Sequence, residues 1–478
     1  MKRLSELLIF ASVVLAQDPG LPNANPNISY WQLPPLEGVA DHQSAQLPTD
    51  ADIVIIGSGI SGTSIAWHLI KEANRTTPLR IAMLEARQGC SGSTGRNGGH
   101  IGHPPTPNGR LAAEARVVDS MDAFFDDAQW KTAVQQMEVL KKEVPDIAKD
   151  WAVFEREEAR NISLIPEVTG IMTGTAKMAG AIWPYRFITH SLKSLLETYP
   201  SFSLDTNTAA LNVSSLTGPS SSSNYEVLTT RGRIQTKHVV YATNAWTPHF
   251  VPGLQGATSG GLLHMSAQLG GSGLPKAGAL PGGRAWSLFR NGLDYVVQMP
   301  RNGEYMFGGG AGGEGEGGPG GNSTALERQR AAQSRHGVVP QRRAAQLLRA
   351  AAGPSVYPGR TKRVWVGIEG GSRDSRPFVG LLPQSAAARP VKNASAVGEW
   401  VSAAFDGEGM CFAWLCGRPL SQMIASGKAG GQEAAGVPEW FPRSFLVTEQ
   451  RLASRNVTRR EAHHWMYPRM AKALSWEN

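Results

Sequence analysis

The sequence predicts an α/β chain: a Rossmann-like dinucleotide-binding domain interleaved with a discontinuous α+β domain built on an antiparallel sheet. Residues 52–86 read as strand, glycine turn, helix and a second strand ending in an acid. Later parallel-strand signals alternate with hairpin and meander patterns, so neither domain is one continuous stretch. At 478 residues and 41% hydrophobic, the chain can bury the cores of two or three domains.

The first element is the apolar run 53–56, short and β-branched, as a strand buried on both faces requires. Ile65, Leu69 and Ile70 then keep helical spacing. Between strand and helix, Gly57 makes the tight turn, Gly59 lets backbone approach a pyrophosphate, and Gly62 allows close packing of helix on strand. Ser58, Ile60 and Ser61 begin a helix whose N-terminus is aimed at the phosphates. Glu85 and Ala86 end the second strand, where a carboxylate can accept both ribose hydroxyls.

Before this unit, Lys2 and Arg3 precede an apolar stretch, residues 7–15, and small residues lead up to Gln17. That is the pattern of a secretory signal at 1–16, too short to span a bilayer, which takes about 20 residues. An exported, glycosylated product is expected, with sequons at Asn27, Asn74, Asn161, Asn212, Asn322, Asn393 and Asn456. Residues 17–50 are proline-rich and form an extended arm.

Residues 89–102 hold six glycines in fourteen positions, so backbone must approach something closely there. Helical periodicity occupies 128–152, and Trp183-Pro184 opens a helix over 188–196. A β-meander is expected over 202–204, 225–229 and 233–237, followed by a strand, 238–242, running into Thr243-Asn244. A hairpin follows, 293–299 with 304–307, and then a glycine-rich loop, 308–321. Strands at 364–366 and 399–405 precede the turn Asp406-Gly407-Glu408-Gly409-Met410 and a helix over 412–425. The dinucleotide-binding segments are therefore 51–104, 182–250 and 362–436. The second domain takes 105–181 and 251–361, and 437–478 is a C-terminal extension.

A net charge of +8 would suit an anionic partner, but the bases are scattered. Arg328 to Arg349, the densest cluster, lacks interleaved aromatics and reads as a solvated helix face, so no nucleic acid is expected. Cys90, Cys411 and Cys416 are too few for a disulfide scaffold and read as packing thiols. No Cys/His grouping has metal spacing.

Four separated motifs, over residues 51–430, resemble the FAD-dependent oxidoreductases of the D-amino-acid oxidase and sarcosine oxidase type. The likeness is to the branch carrying Gly-Arg-Asn-Gly-Gly, which includes gamma-glutamylputrescine oxidases. The motifs are Gly57 to Glu85; Ser93-Thr94-Gly95-Arg96-Asn97-Gly98-Gly99-His100; Val240 to Asn244; and the pair 370–380 with 405–410. The resemblance implies FAD as cofactor, with Ala242 and Thr243 bracing the pyrophosphate side. Backbone amides of Gly407, Gly409 and Met410 would face the ring where negative charge develops. It implies a small-molecule amine or amino acid as substrate, hydride transfer from its carbon, and oxygen as acceptor. Linkage residues of covalent relatives are missing, since Gly367 and Arg96 stand in their places, so the FAD is expected to be non-covalent. The lysine some members place past 307–309 to promote oxygen reaction is absent, and the span 102–119 is short for the helix relatives carry.

Hydride transfer needs a positioned C–H and a neutral amine nitrogen rather than a strong base. His100 and His103 are the candidates for a hydrogen bond to the ring or for receiving the amine proton, with a structural histidine bonded to backbone as the other reading of each, and Arg96 for supporting ring charge or for fixing its own turn. Trp183 and Tyr185 read as wall or core, and Ser372 and Asp374 as turn-stabilising. A flavin monooxygenase shares Gly57 to Glu85, and a flavoprotein that has lost turnover would share every motif.

Overall fold

The computed structural model describes residues 18–71, 78–101, 112–163, 165–174, 179–216, 223–269, 284–290, 292–301, 303–311, 361–389, 398–426 and 437–454. The expectations for 1–16, for His103, for most of the 308–321 loop, for Arg328 to Arg349 and for the sequons at Asn74, Asn322, Asn393 and Asn456 lie outside these residues.

The first sheet is built around β1 (Asp50–Ile56), flanked in parallel by β2 (Ile81–Leu84) and by β11 (Gly232–Tyr241). β8 (Phe202–Asp205) continues it beside β2. On the other side come β18 (Gly398–Ala403), parallel to β11, and β17 (Phe378–Leu381), antiparallel at the edge. Ile53 and Ile55 enter one core cluster, Val54 and Ile56 the other, so β1 is buried on both faces. Helices Ile60–Lys71 and Gly409–Ser426 cross over one face, close enough that a Cβ on Gly417 would sit 2.1 Å from Ser64 Oγ. That hydroxyl donates to the Trp414 carbonyl at 2.6 Å.

The expected meander is redrawn. Its first member, 202–204, is β8 and belongs to the parallel sheet. The meander is instead β9 (Ala210–Ser215), β10 (Tyr225–Thr229) and the start of β11, and 233–242 is one strand that turns parallel to β1 after its antiparallel start.

The second sheet runs β16 (Thr361–Ser372), β12 (Thr258–Gln268), β15 (Tyr305–Ala311), β14 (Leu293–Gln298), β13 (Arg284–Phe289), β4 (Arg116–Phe124), β6 (Gly170–Gly174) and β5 (Trp151–Glu155). Its pairs are antiparallel except β4 with β13. β16 pairs with β12 along its length, so this strand, assigned by sequence to the dinucleotide-binding segments from 362, lies in the second sheet. The helix expected over 128–152 ends earlier, at Asp127–Glu143, with Asp126 capping its start by accepting from the Gln129 amide. Pro145 disfavours helical backbone at Val144, and a separate helical turn, Pro145–Ala148, follows before the chain enters β5. At Trp183 the expectation holds: Pro184 takes the first position of helix Pro184–Thr198.

Candidate active site

The glycines of the first turn each do a distinct steric job. Gly57 has φ +108°, and a Cβ there would lie 2.5 Å from the Ala242 carbonyl oxygen. At Gly62 a Cβ would fall 2.0 Å from the Gly57 carbonyl oxygen, so the helix can sit on its own turn only without a side chain. A Cβ on Gly59 would be 3.1 Å from Thr94 Oγ1. That hydroxyl accepts the Ile60 amide at 3.0 Å, which joins the two glycine-rich segments at the start of the helix. Glu85 stands beside them. Its Oε2 accepts from the Ser58 amide at 3.2 Å and hydroxyl at 2.7 Å, and its Oε1 from the Arg87 amide at 3.1 Å.

The second motif is braced from within and from the arm. Asn97 donates to the Ser93 and Thr94 carbonyls and accepts the Gly99 amide at 2.8 Å, and Ser93 Oγ donates to the Ile368 carbonyl of β16. Thr243 pairs its hydroxyl with that of Thr247. Arg96 is buried, and its guanidinium donates to the Ser91, Asn27 and Val366 carbonyls and to Asn27 Oδ1. Burial lowers it to about 9, with the Arg87 charge adding to the effect. The proline-rich arm completes the loop: Ser29 Oγ donates to the Gly95 carbonyl, and Trp31 Nε1 to that of Asn97. Trp31 is wholly buried, and Tyr30 Oη donates to Glu304 at 2.8 Å, linking the arm to the second sheet. The arm is a wall of the site, a role its composition did not signal.

Opposite this loop stands one face of the second sheet. Register places Asp122, Ser287, Tyr295, Gly308, Met265 and Trp365 in a row across six strands. Trp365 Nε1 donates to the Arg96 carbonyl, so this row faces the motif loop. A Cβ on Gly98 would lie 2.6 Å from the Tyr295 ring, and the His100 ring meets Tyr295 edge-on at 5.7 Å. His100 hydrogen-bonds to the Val296 backbone, and its Nε2 is buried with no partner. Burial, which outweighs that bond, pushes it down to about 4, so it is neutral at physiological pH. Burial likewise raises Asp122 to about 6, against the bond it accepts from Ser287. His100, Asp122 and Tyr295 are half-buried on this face.

The third wall is the turn before helix Gly409–Ser426. Gly407 has φ +92°, and a Cβ there would lie 2.9 Å from Glu369 Oε1. The amides of Gly409 and Met410 fall in the first helical turn, where no preceding turn supplies an acceptor, whereas the Glu408 amide is turned back to the Phe405 carbonyl.

The family model described as FAD dependent oxidoreductase (DAO) matches residues 52–423. The chain belongs to that family. Among solved structures it is similar to glycine oxidase from Geobacillus kaustophilus, with a TM-score of 0.58, 15% identity, and coverage of 84% of this chain and 99% of that one. It is also similar to L-amino acid deaminase from Proteus myxofaciens (TM-score 0.55, 16% identity, 85% and 94% covered) and to L-proline dehydrogenase from P. horikoshii (TM-score 0.54, 20% identity, 83% and 98% covered). The protein is an FAD-dependent oxidoreductase and binds FAD.

The residues fit that cofactor. The cradle of Gly57, Gly59 and Gly62 is one that a single Cβ would fill, Glu85 closes its far end, and the amides of Gly409 and Met410 open the opposite wall. Of the two residues singled out for chemistry, His100 stands beside Tyr295, whereas Arg96 turns its donors outward to the arm and β16. Ser58, Ser93, Thr94 and Asn97 use their side chains to hold the cradle's own parts together. The resemblance implied that the hairpin from Tyr295 to Phe307 covers the ring's other face, but Glu369 and Asp122 went unread in the sequence, because facing strands place them and no local motif marks them. Trp183 and Tyr185 are core, with Trp183 Nε1 on the Trp31 carbonyl, and Ser372 bonds Asp374 in its own turn.

Proposed function

We propose that the protein is an exported enzyme that oxidises the C–N bond of an amine or amino acid to an imine, with oxygen reoxidising the cofactor. FAD, when bound, supplies the hydride acceptor. The carbon loses hydride, the nitrogen lone pair closes the C=N bond, and water then hydrolyses the imine to a carbonyl compound and an amine.

The observation that carries this reading is His100. Its bond to the Val296 carbonyl leaves the Nε2 lone pair unpartnered, beside Tyr295 and across from the glycine loop. A neutral imidazole there accepts a hydrogen bond from the substrate nitrogen and orients it before hydride leaves. His100 and Tyr295 also exclude water from the reacting carbon. Export is supported by the basic and apolar N-terminus and by the sequons.

Anaerobic addition of an amine to the yellow holoenzyme tests the reading: the flavin absorbance bleaches without any nicotinamide cofactor. Bleaching that required NADPH would assign the protein to the monooxygenases instead. Bleaching by dithionite but by no amine would leave a flavoprotein without this turnover.

A further inference from the structure

A strand at the end of a sheet leaves a row of backbone N–H and C=O groups without a neighbour, and a chain that does not cover them invites another strand to pair. This chain covers most of its own. Beside β8 lies the arm, where the His42 carbonyl accepts the Thr206 amide and His42 Nδ1 donates to the Leu204 carbonyl at 2.6 Å. At the other end of that sheet the Val447 amide donates to the Val379 carbonyl of β17, and Arg389 Nε donates to the Val213 carbonyl of β9. Along β16 the carbonyls of Val366 and Ile368 accept from Arg96 and Ser93.

β5 is different. It closes the second sheet and pairs with β6 alone, so its outward amides and carbonyls have no partner among the described residues. Nothing in the strand blunts that edge: Trp151-Ala152-Val153-Phe154-Glu155 holds no proline, lysine or bulge, and its four apolar residues are half-buried. Helix Asp127–Glu143 packs over the same end of the sheet through Trp130 and Met137, in a cluster that Trp151 and Val153 join. On that helix Val139 is 59% exposed, more than any other large apolar side chain among the described residues.

We propose that β5 pairs antiparallel with β5 of a second copy of this chain, about a two-fold axis at Val153, joining the second sheets of both copies into one. A second copy is the partner because the strand complements itself in this register. Val153 meets Val153 and Ala152 meets Phe154, apolar pairs of the kind that hold antiparallel strands. Beyond the ends, exposed Lys149 comes toward exposed Glu157 of the other copy, twice over by symmetry, and neither has an ion partner in its own chain among the described residues. Asp150 and Arg156, one place further in, are opposite in sign too, although Arg156 also bonds Asp127. Moving the axis to Ala152 would set Asp150 against Phe154, and moving it to Phe154 would set Asp150 against Glu158. The two-fold also puts both copies of helix Asp127–Glu143 on one face of the joined sheet. The seam is small beside the roughly 800 Å² per partner of a standard interface, which makes the dimer a weak one.

Sedimentation velocity of the holoenzyme over about 1–100 μM reads the association, and hydrogen–deuterium exchange at the same concentrations reads its site. The mass should rise from one chain to two with a dissociation constant of roughly 10 μM, and exchange of the 151–155 amides should slow as it does. Glu157→Lys should raise that constant about tenfold, as should Lys149→Glu, and the two together should return it to within about threefold of the parent. Both positions are exposed, and parent-like melting temperature and FAD absorbance show each variant to be folded. A single chain at every concentration overturns the inference, including the case in which β5 takes a strand of another protein. So does a dimer whose 151–155 exchange is unchanged, or one that the single reversals leave as tight as the parent.

Discussion

Replacing Arg96 separates a residue that holds the FAD loop from one that acts on the flavin. The side chain makes four hydrogen bonds, three to backbone carbonyls and one to Asn27 Oδ1, at 2.6 to 3.1 Å, and it is 4% exposed. A lysine, with its point charge, keeps two of those four bonds and loses the other two. At about 1.5–3 kcal/mol for each charged hydrogen bond lost, Arg96→Lys forfeits roughly 3–6 kcal/mol of loop order. Arg96→Met forfeits all four bonds, although it also removes the cost of burying the charge. Where the loop must be ordered to hold FAD, the lysine loss corresponds to an upper bound of ~10²–10⁴ in cofactor affinity. Equilibrium dialysis against FAD, differential scanning fluorimetry and anaerobic reduction at saturating FAD measure the three consequences. FAD affinity and melting temperature should fall, while the rate of reduction and the flavin potential at saturation stay within about twofold and ~10 mV of the parent, since 30 mV is about 1.4 kcal/mol for a two-electron couple. A variant that keeps its FAD affinity but shifts the potential by tens of millivolts would refute this and return Arg96 to the flavin.

Glu85→Ala loses the ribose contact and also the anchor of Ser58, so FAD affinity should fall tenfold to a hundredfold, about 1.5–3 kcal/mol, and be rescued by excess FAD; dialysis showing parent-like affinity rejects the assignment. Asp122 has its folded-state pKa raised to about 6, so the folded protein binds a proton that the unfolded chain releases between about pH 4 and 6, and the stability this lends is lost as pH rises through that window. Asp122→Asn should therefore raise the melting temperature at pH 8 and gain little at pH 4, as thermal scans across pH will show; equal gains at both would contradict the shift. Acid precipitation should release free FAD, because a methyl on Gly367 would lie 3.3 Å from Arg96 Cβ and neither residue can form a linkage; yellow colour in the washed pellet would count against this. In protein secreted by a eukaryotic host, peptide mapping should find glycans at exposed Asn161 and Asn212 but not at Asn27, whose Oδ1 accepts from Arg96 and whose neighbour Ser29 is fully buried.

The parts of the site that were legible in sequence are those made by one short stretch of chain. Gly57, Gly59, Gly62 and Glu85 could be read because a strand, a tight turn and a helix leave a local pattern, and a Cβ at Gly57 or Gly62 would collide with backbone carbonyls. Helix starts at Asp126 and Pro184 were legible for the same reason. Asp122 and Glu369 were not, because they come together with Tyr295 only through strand register, and a period of two says which residues share a face but not which strand lies opposite. Arg96 was readable as a brace of its own turn or a support for ring charge, but its partners were not, since Asn27 and Val366 lie 69 and 270 residues away. Phe202–Asp205 was misplaced because a four-residue strand looks alike in a meander and at a parallel edge. The arm was undervalued because proline-rich composition describes how a segment starts out, not what it packs against.

That arm has a consequence for how the protein is made. Ser29, Trp31 and Tyr30 meet partners 66, 66 and 274 residues further along, so among the first described residues to leave the ribosome are some of the last to find their neighbours. Until Glu304 has been synthesised, Tyr30 lacks its partner on the second sheet, and the arm is held only by its contacts with the motif loop and Trp183. Docking of the arm onto the second sheet is thereby tied to synthesis of most of the chain, and a label or fusion joined close to residue 18 would be expected to slow that docking.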